Sequence, residues 1–402
     1  MRIGVVVDND FYSDERVKRQ VRLLIKHNFD VHVLCYHSES RTNLEKSLNK
    51  VEIHALRVNK KLISKIKPII NLIPLYEYFW AYQIQDFIRK TGVEVIHVHD
   101  LYMSKAGFLG KRMAGIPMIL DLHEHYPAAI LTYNWAIKFP NRLITLPKRW
   151  KSKESKYLSY ADKIIVLSES YKNRLVSAYS HLAESDFFTL PNVPDLDYFD
   201  KLTSAPIPEL VKAGDIPTLV YFGVIAERRG IFEVLHALKL LIESKFFIHV
   251  LLIGPVDNAD RKRFLSATKD ESINRYITYI PWIDMEELSE YLKQCDVAIC
   301  PIKKNDQHES GIANKVFQYL LYEKPIIVSN CKPQEELVQS HDVGAVYESG
   351  DIEDLKITIV NMLSEPSRLK EMGENGESCV RSIYNLNEFG KSFIAFYREF
   401  LR

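Results

Sequence analysis

Apolar residues are gathered in short runs of strand length: IGVVV (3–7), VHVLC (31–35), VIHVH (95–99), MILDL (118–122), KIIVL (163–167), TLVYF (218–222), HVLLIG (249–254), VAICP (297–301) and PIIVS (325–329). Between many of them lie segments of helical period, such as 15–27, 231–243 and 285–294. Continuous apolar strands alternating with amphipathic helices predict parallel sheets covered on both faces. The series runs twice. Around 200–217 the chain carries three Pro and no apolar strand, which predicts a linker, and a second βα series begins at Thr218. The expected fold class is therefore α/β, with two doubly wound Rossmann-like domains: 1–203, 204–384, and a closing helical segment 385–402 that returns to the first domain. Ligands of such sheets bind at the carboxyl ends of strands, and a cleft between two facing domains is the default site.

Length and composition narrow the class. The chain has 402 residues, 47% hydrophobic and 26% charged, which suits a globular protein of two domains and excludes fibrous or disordered classes. No apolar run reaches 18 residues, so a polytopic membrane protein is excluded. Cys35, Cys295, Cys300, Cys331 and Cys379 are scattered without a C-x-x-C spacing, which reads as reduced thiols of a cytosolic protein. The opening MRIGVVVDND meets Asp8 too early for a signal peptide, so the mature chain is expected to start here.

Charge is unevenly spread. Residues 1–200 hold 29 Lys and Arg against 22 Asp and Glu, whereas residues 201–402 hold 24 against 30. Two basic stretches in the first half, 57–67 and 125–153, lack acids and interleave apolar residues such as Leu62, Ile63, Phe139, Leu143 and Ile144. Basic heads on an apolar stripe suit an anionic membrane surface, or a solvated face over core residues. Nucleic acid is not an expected partner, since net charge is +1 and no recognition motif occurs.

Candidate chemistry clusters at strand ends. No G-x-G-x-x-G, P-loop or G-x-S-x-G string occurs. Asp8-Asn9-Asp10 and Asp195-Leu196-Asp197 read as turn residues, without a metal. Ser13 or Asp14 is the expected cap of the first helix, and Arg16 beside it opposes the helix dipole, which marks it as a functional candidate. His97 and His99 share one strand face, with Asp100 at the tip; no further metal ligand is expected to join them. Asp121, His123, Glu124 and His125 follow a buried strand, and His123 or His125 is the expected proton-handling group. In the second half, Gly223, Arg228, Arg229 and Gly230 precede a helix, an arrangement suited to a diphosphate. Glu309, Ser310 and Gly311 lead into a further helix, on which Lys315 and Gln318 share a face.

In this order, the pieces resemble the GT-B-fold glycosyltransferases, specifically glycosyltransferase family 4. The resemblance rests on Ser13-Asp14-x-Arg16-Val17, IHVHD (96–100), Asp121-x-His123-Glu124, ADKIIVLS (161–168), LPNVPD (190–195), Phe222-Gly223 with Gly230, and the helix Asn314-Lys315-x-Phe317-Gln318-Tyr319-Leu320 before KPII. It implies a metal-independent enzyme, with no cofactor, that moves a sugar from a nucleotide-diphosphate donor to a glycan or lipid-linked acceptor with retention, in surface polysaccharide or glycolipid synthesis. It also implies a peripheral place on the cytoplasmic face of the membrane. By the same resemblance, His123 touches the transferred sugar with Glu309, and the donor is held by Gly223, Arg228, Arg229, Gly230, Ser310, Gly311, Asn314, Lys315 and Gln318. The base stacks near Pro281-Trp282 or Pro301-Ile302. Asp14, Arg16, His99, Asp100 and Glu124 are acceptor-side candidates. Two positions depart from the family pattern. Val224 stands where a phosphate-binding cation is usual, with Lys315 or Arg228 as replacements, and Gln318 stands where a ribose-binding Glu is usual. A nucleotide-sugar 2-epimerase of the same fold and a non-catalytic donor-binding subunit are the alternatives.

Overall fold

The computed structural model describes residues 1–36, 50–56, 67–210 and 214–400. The chain divides into two compact units: residues up to Pro191 together with those from Gly390 onward, and Asn192–Phe389.

The first unit is built on a seven-stranded sheet of order β3-β2-β1-β4-β5-β6-β7, comprising β1 (Arg2–Asp10), β2 (Asp30–Tyr36), β3 (Glu52–Leu56), β4 (Val95–His99), β5 (Met118–Asp121), β6 (Lys163–Val166) and β7 (Phe187–Thr189). Every pairing in it is parallel. Helix α1 (Glu15–Lys26) is capped by Asp14, whose side chain accepts from the Val17 amide, and buries Val17, Val21, Leu23 and Leu24. Helix α2 (Leu75–Thr91) buries Tyr76, Trp80, Ile84 and Phe87 and ends at Gly92 in the left-handed region.

The second unit holds six parallel strands in the order β10-β9-β8-β11-β12-β13: β8 (Thr218–Phe222), β9 (His249–Ile253), β10 (Ile277–Ile280), β11 (Val297–Cys300), β12 (Ile326–Ser329) and β13 (Gly344–Tyr347). Helices α3 (Ile231–Glu243) and α4 (Asn314–Leu321) are the two whose N-terminal ends carry candidate residues.

The four strands missing from the sequence prediction, β3, β7, β10 and β13, are the four sheet edges. Edge strands are buried from fewer sides; β3, β7 and β10 are short and interrupted by polar residues, and β13 lies in the short glycine-containing run VGAVY (343–347), which sequence reading missed.

Residues 192–210 were expected to split between the domains at 203. Val193, Leu196, Phe199, Ile207 and Leu210 instead all pack on the second unit's core. Apolar side chains spaced along this segment, which includes a helical turn at Leu196–Phe199, make it a strap rather than a solvated linker. The last helix, α5 (Leu386–Phe400), begins in the second unit and finishes in the first. There Phe396 stacks on Phe188 at 4.9 Å, and the Tyr397 hydroxyl lies 2.6 Å from His97 Nδ1. All five cysteines are free and buried.

Candidate active site

In the first unit, the parallel register sets His99 beside Asp121 at the carboxyl ends of β4 and β5. Asp121 is fully buried. Arg16 grips it with both arms of its guanidinium, Nε to Oδ2 at 3.0 Å and Nη2 to Oδ1 at 2.7 Å, and donates from Nη1 to the Leu190 carbonyl at 3.0 Å. Gln20 adds a bond to Oδ2 at 2.6 Å. Burial opposes ionisation of Asp121, but Arg16 and the neighbouring imidazoles outweigh it and hold the carboxyl well below the usual carboxylate range. The cation that disfavours the helix start is therefore the counter-charge of a buried carboxylate 105 residues away.

His99 Nδ1 lies 3.4 Å from Asp121 Oδ2 and 2.8 Å from His123 Nε2. Nδ1 of His123 faces Asp14 Oδ2 at 4.0 Å and Asp100 Oδ1 at 3.9 Å. Asp14, His99, Asp100, Asp121 and His123 thus form one group, of which His123 keeps an 18% exposed side chain. Burial pushes His97 and His99 below their ordinary value, so both are neutral at pH 7. Glu124 and His125 turn elsewhere. Both Glu124 oxygens accept from the Tyr133 hydroxyl at 2.8 Å, and His125 pairs with buried Glu154 at 3.0 Å. Of the two histidines left open by the sequence, His123 is the one in the strand-end group.

The expectation that no further ligand joins His97 and His99 is overturned, because Asp121 lies within ligand distance of both. A dication there would have to compete with Arg16 for the same oxygens, so the charge balance of the group is already met. The DND string has a simpler role: the Tyr76 hydroxyl bonds one oxygen of Asp8, and Tyr102 donates to the other at 2.7 Å.

In the second unit, β8 ends at Gly223, whose φ of 131° belongs to glycine. Gly230, at φ 74°, precedes α3 and packs so closely that a Cβ would stand 1.7 Å from the Pro301 carbonyl oxygen. Arg228 is tied to Asp257 at 2.9 Å. Arg229 is not: among the described residues it has no hydrogen-bonding or ion-pair partner for its side chain. Lys315 comes from α4. Its ammonium sits 3.6 Å over the Tyr221 ring, and a Cβ at Gly223 would lie 2.8 Å from it. Burial, with Arg229 adding repulsion and Cys300 opposing, lowers Lys315 to about 7. The same cations lie near His308, which burial lowers to about 4. Neither α3 nor α4 has a side-chain cap on its first amides. Two helix starts without side-chain caps thus accompany two cations, Arg229 and Lys315, that have no acidic partner among the described residues, and the local charge is positive.

The remaining candidates are more scattered. Glu309 accepts the Lys332 amide at 3.3 Å, Ser310 turns to the Gln307 carbonyl at 2.6 Å, and Asn314 is exposed at the start of α4. Gln318, half-buried one turn along, follows Lys315 on the same face. Val224 is 40% exposed and supplies no charge. Of the base-stacking candidates, Trp282 is 71% exposed and Ile302 is buried. Sequence reading missed Tyr221, Tyr319 (whose hydroxyl accepts the Phe222 amide at 2.6 Å) and Asp257. The tyrosines read as core residues of their elements, and nothing in the sequence marks Asp257 as the partner that removes Arg228 from the pocket.

The family model described as "Glycosyltransferase Family 4" matches residues 15–198, and "Glycosyl transferases group 1" matches residues 206–378. The chain is similar to the capsular polysaccharide biosynthesis glycosyltransferase CapM of Staphylococcus aureus, with 22% identity over 96% of this chain and 94% of that one. Its fold is similar to that of sucrose-phosphate synthase from Thermosynechococcus elongatus, at a TM-score of 0.75 and 17% identity, covering 100% of this chain and 99% of that one. It also resembles Anabaena HepE in complex with UDP, at a TM-score of 0.70 and 12% identity, covering 99% and 100%. With both halves matched by glycosyltransferase models and both sheets parallel, as expected, the chain belongs to the glycosyltransferases of the GT-B type, family 4.

Proposed function

We infer that this enzyme transfers a sugar, with retention, from a nucleoside-diphosphate sugar to a glycan or lipid-linked acceptor in surface-polysaccharide or glycolipid synthesis. The observation that carries the reading is the unpaired cation pair Arg229 and Lys315 beside two uncapped helix starts. A diphosphate brings two or more negative charges and many acceptor oxygens, which match that wall. HepE, of like fold, binds UDP, and CapM serves capsular polysaccharide synthesis, which supports both the donor and the pathway class.

The chemistry divides between the units. In the second, Arg229 and Lys315 take the charge that develops on the leaving diphosphate, so the barrier falls without a reorganising solvent. Gly223 makes room for the Lys315 side chain and Gly230 for the Pro301 carbonyl, which sets the turn that carries Arg229. Gln318 holds ribose hydroxyls through its amide, and Glu309 orients the sugar. In the first, His123 bonds a hydroxyl of the transferred sugar, with His99 and Asp121 fixing its ring. The charge needed at the diphosphate is supplied by side chains, which is consistent with a metal-independent reaction.

A membrane-surface role rests on 131–153. Phe139, Leu143 and Ile144 are exposed beside exposed Lys138 and Arg142. Asn71 Nδ2 bonds the Thr145 carbonyl at 2.8 Å, which joins this patch to exposed Leu72 and Ile73. The basic stretch at 57–66 lies outside the described residues. Among those described, no helix is long and apolar enough to cross a membrane. Flotation with phosphatidylserine vesicles should fall in the double variant Phe139→Ala, Leu143→Ala; unchanged flotation would remove the membrane from the account.

Transfer itself is tested with nucleotide sugars and a membrane-lipid or oligosaccharide acceptor panel. Arg229→Ala and His123→Ala should each lower kcat by about 10²–10³, the usual cost of a lost preorganised donor. Wild-type rates in both variants would refute the assignment. Donor bound and interconverted without acceptor would instead indicate an epimerase.

A further inference from the structure

We propose that His32, Glu52 and His54 form a binding site for a divalent ion of the zinc class, at the sheet edge of the first unit and independent of sugar transfer. The parallel register sets His32 on β2 opposite Glu52 on β3. His54 stands two residues further along β3, on the same face. The three groups converge: His32 Nδ1 is 3.5 Å from His54 Nε2 and 3.3 Å from Glu52 Oε2, and His54 Nε2 is 3.2 Å from Glu52 Oε1. A tetrahedral ion with bonds of about 2.0–2.1 Å holds its ligand atoms about 3.3–3.4 Å apart. The contacts are close to that spacing, His32 meeting one Glu52 oxygen and His54 the other, so a carboxylate that offers either oxygen completes the set. Two imidazoles and one carboxylate also form a ligand set that suits zinc better than magnesium or calcium.

The surroundings favour an ion. His32 is buried, and its Nε2 makes no hydrogen bond; it faces Asp30 Oδ1 at 3.4 Å. With Nδ1 on a metal, the proton stays on Nε2 and Asp30 becomes the carboxylate that orients the ring. Glu52, with a 64% exposed side chain, has no Lys or Arg as ion-pair partner among the described residues. Lys90 of α2, which also acts on His54, has its ammonium on Asp86 at 2.5 Å, and Arg2 is on Asp30 at 3.4 Å. This is the opposite of the His97–His99–Asp121 group, where Arg16 already supplies the positive charge. His54 and Glu52 are open to solvent, which gives the ion an entry path and leaves a fourth position for water.

The role follows from topology. β3 is an edge strand held to the sheet through β2 alone. An ion bridging His32 to Glu52 and His54 clips that edge, and binding to the folded form alone raises stability by mass action.

The test uses the full chain without a histidine tag, stripped with EDTA, then titrated with Zn(II) and separately with Co(II). We expect one equivalent of Co(II) to give tetrahedral d–d absorption, and Zn(II) to raise the thermal midpoint. Both responses should be lost in His54→Gln and in Glu52→Gln, each with its metal-free midpoint near wild type, and kept in His123→Ala. Absence of stoichiometric binding overturns the proposal. So does binding that survives His54→Gln, or binding lost in His123→Ala while His54→Gln retains it. Sugar transfer by metal-free wild type should equal that of the zinc-loaded protein; a requirement for zinc in transfer would place the ion elsewhere and also overturn the proposal.

Discussion

The two candidate groups of this enzyme are electrostatic opposites. In the first unit, Asp121 is buried and fully engaged: Arg16 balances its charge, Gln20 and His99 complete its bonds, and His123, Asp14 and Asp100 at the rim remain partly open. In the second unit, Arg229 and Lys315 stand near one another without a counter-ion among the described residues, and Lys315 is pushed to about 7 as a result of burial and its cationic neighbour. One group is charge-balanced within the folded chain. The other holds positive charge that no acidic side chain among the described residues offsets. Uncompensated positive charge of this kind is what the proposed diphosphate would neutralise.

The comparison can be broken most forcefully at Arg16. Arg16→Ala leaves a buried carboxylate without its partner and should destabilise the first unit by about 3–5 kcal/mol. Urea unfolding followed by the first unit's tryptophans would measure it. A loss under about 1 kcal/mol would mean that Asp121 is not held as described.

A second test concerns protons. The folded value of Lys315, about 7, lies below its ordinary 10.5, so the unfolded chain binds more protons between those values. This group's contribution to stability therefore rises with pH across that window, and its cost is fully present below about 7. A bound diphosphate reverses the shift. At pH 8, diphosphate binding should take up protons, and affinity should weaken as pH rises through the window. Calorimetry in buffers of different ionisation enthalpy reads the uptake directly, and Lys315→Met should abolish it.

The smallest effect is expected at Arg228, whose guanidinium is spent on Asp257 at a partly exposed position. Arg228→Ala should change stability by less than about 1 kcal/mol and donor affinity by far less than Arg229→Ala. Equal losses at the two arginines would erase the distinction between a paired and a free cation.

How much of this was legible beforehand follows from burial. The interior strands of both sheets were visible as continuous apolar runs because they are covered on both faces; the edges β3, β7, β10 and β13 were not. His123, Arg229, Gly230 and Lys315 could be picked out because polar residues and glycines at strand ends stand against an apolar background. Partnership could not. The Arg16–Asp121 pair spans 105 residues, and the adjacent arginines at 228 and 229 are indistinguishable until Asp257 takes one of them. In the stretch 200–217, read as a linker from its prolines, Ile207 and Leu210 pack on the second unit's core, and two isolated apolar residues gave no periodic signal.

The central claim is that the free cations of the second unit hold the donor's diphosphate. Calorimetric titration of UDP, GDP, ADP and dTDP into wild type, Arg229→Ala and Lys315→Met tests it most directly. One diphosphate should bind wild type at a single site and lose at least about tenfold in affinity in each variant, or about 1.4 kcal/mol. Binding of equal strength in all three proteins would contradict it.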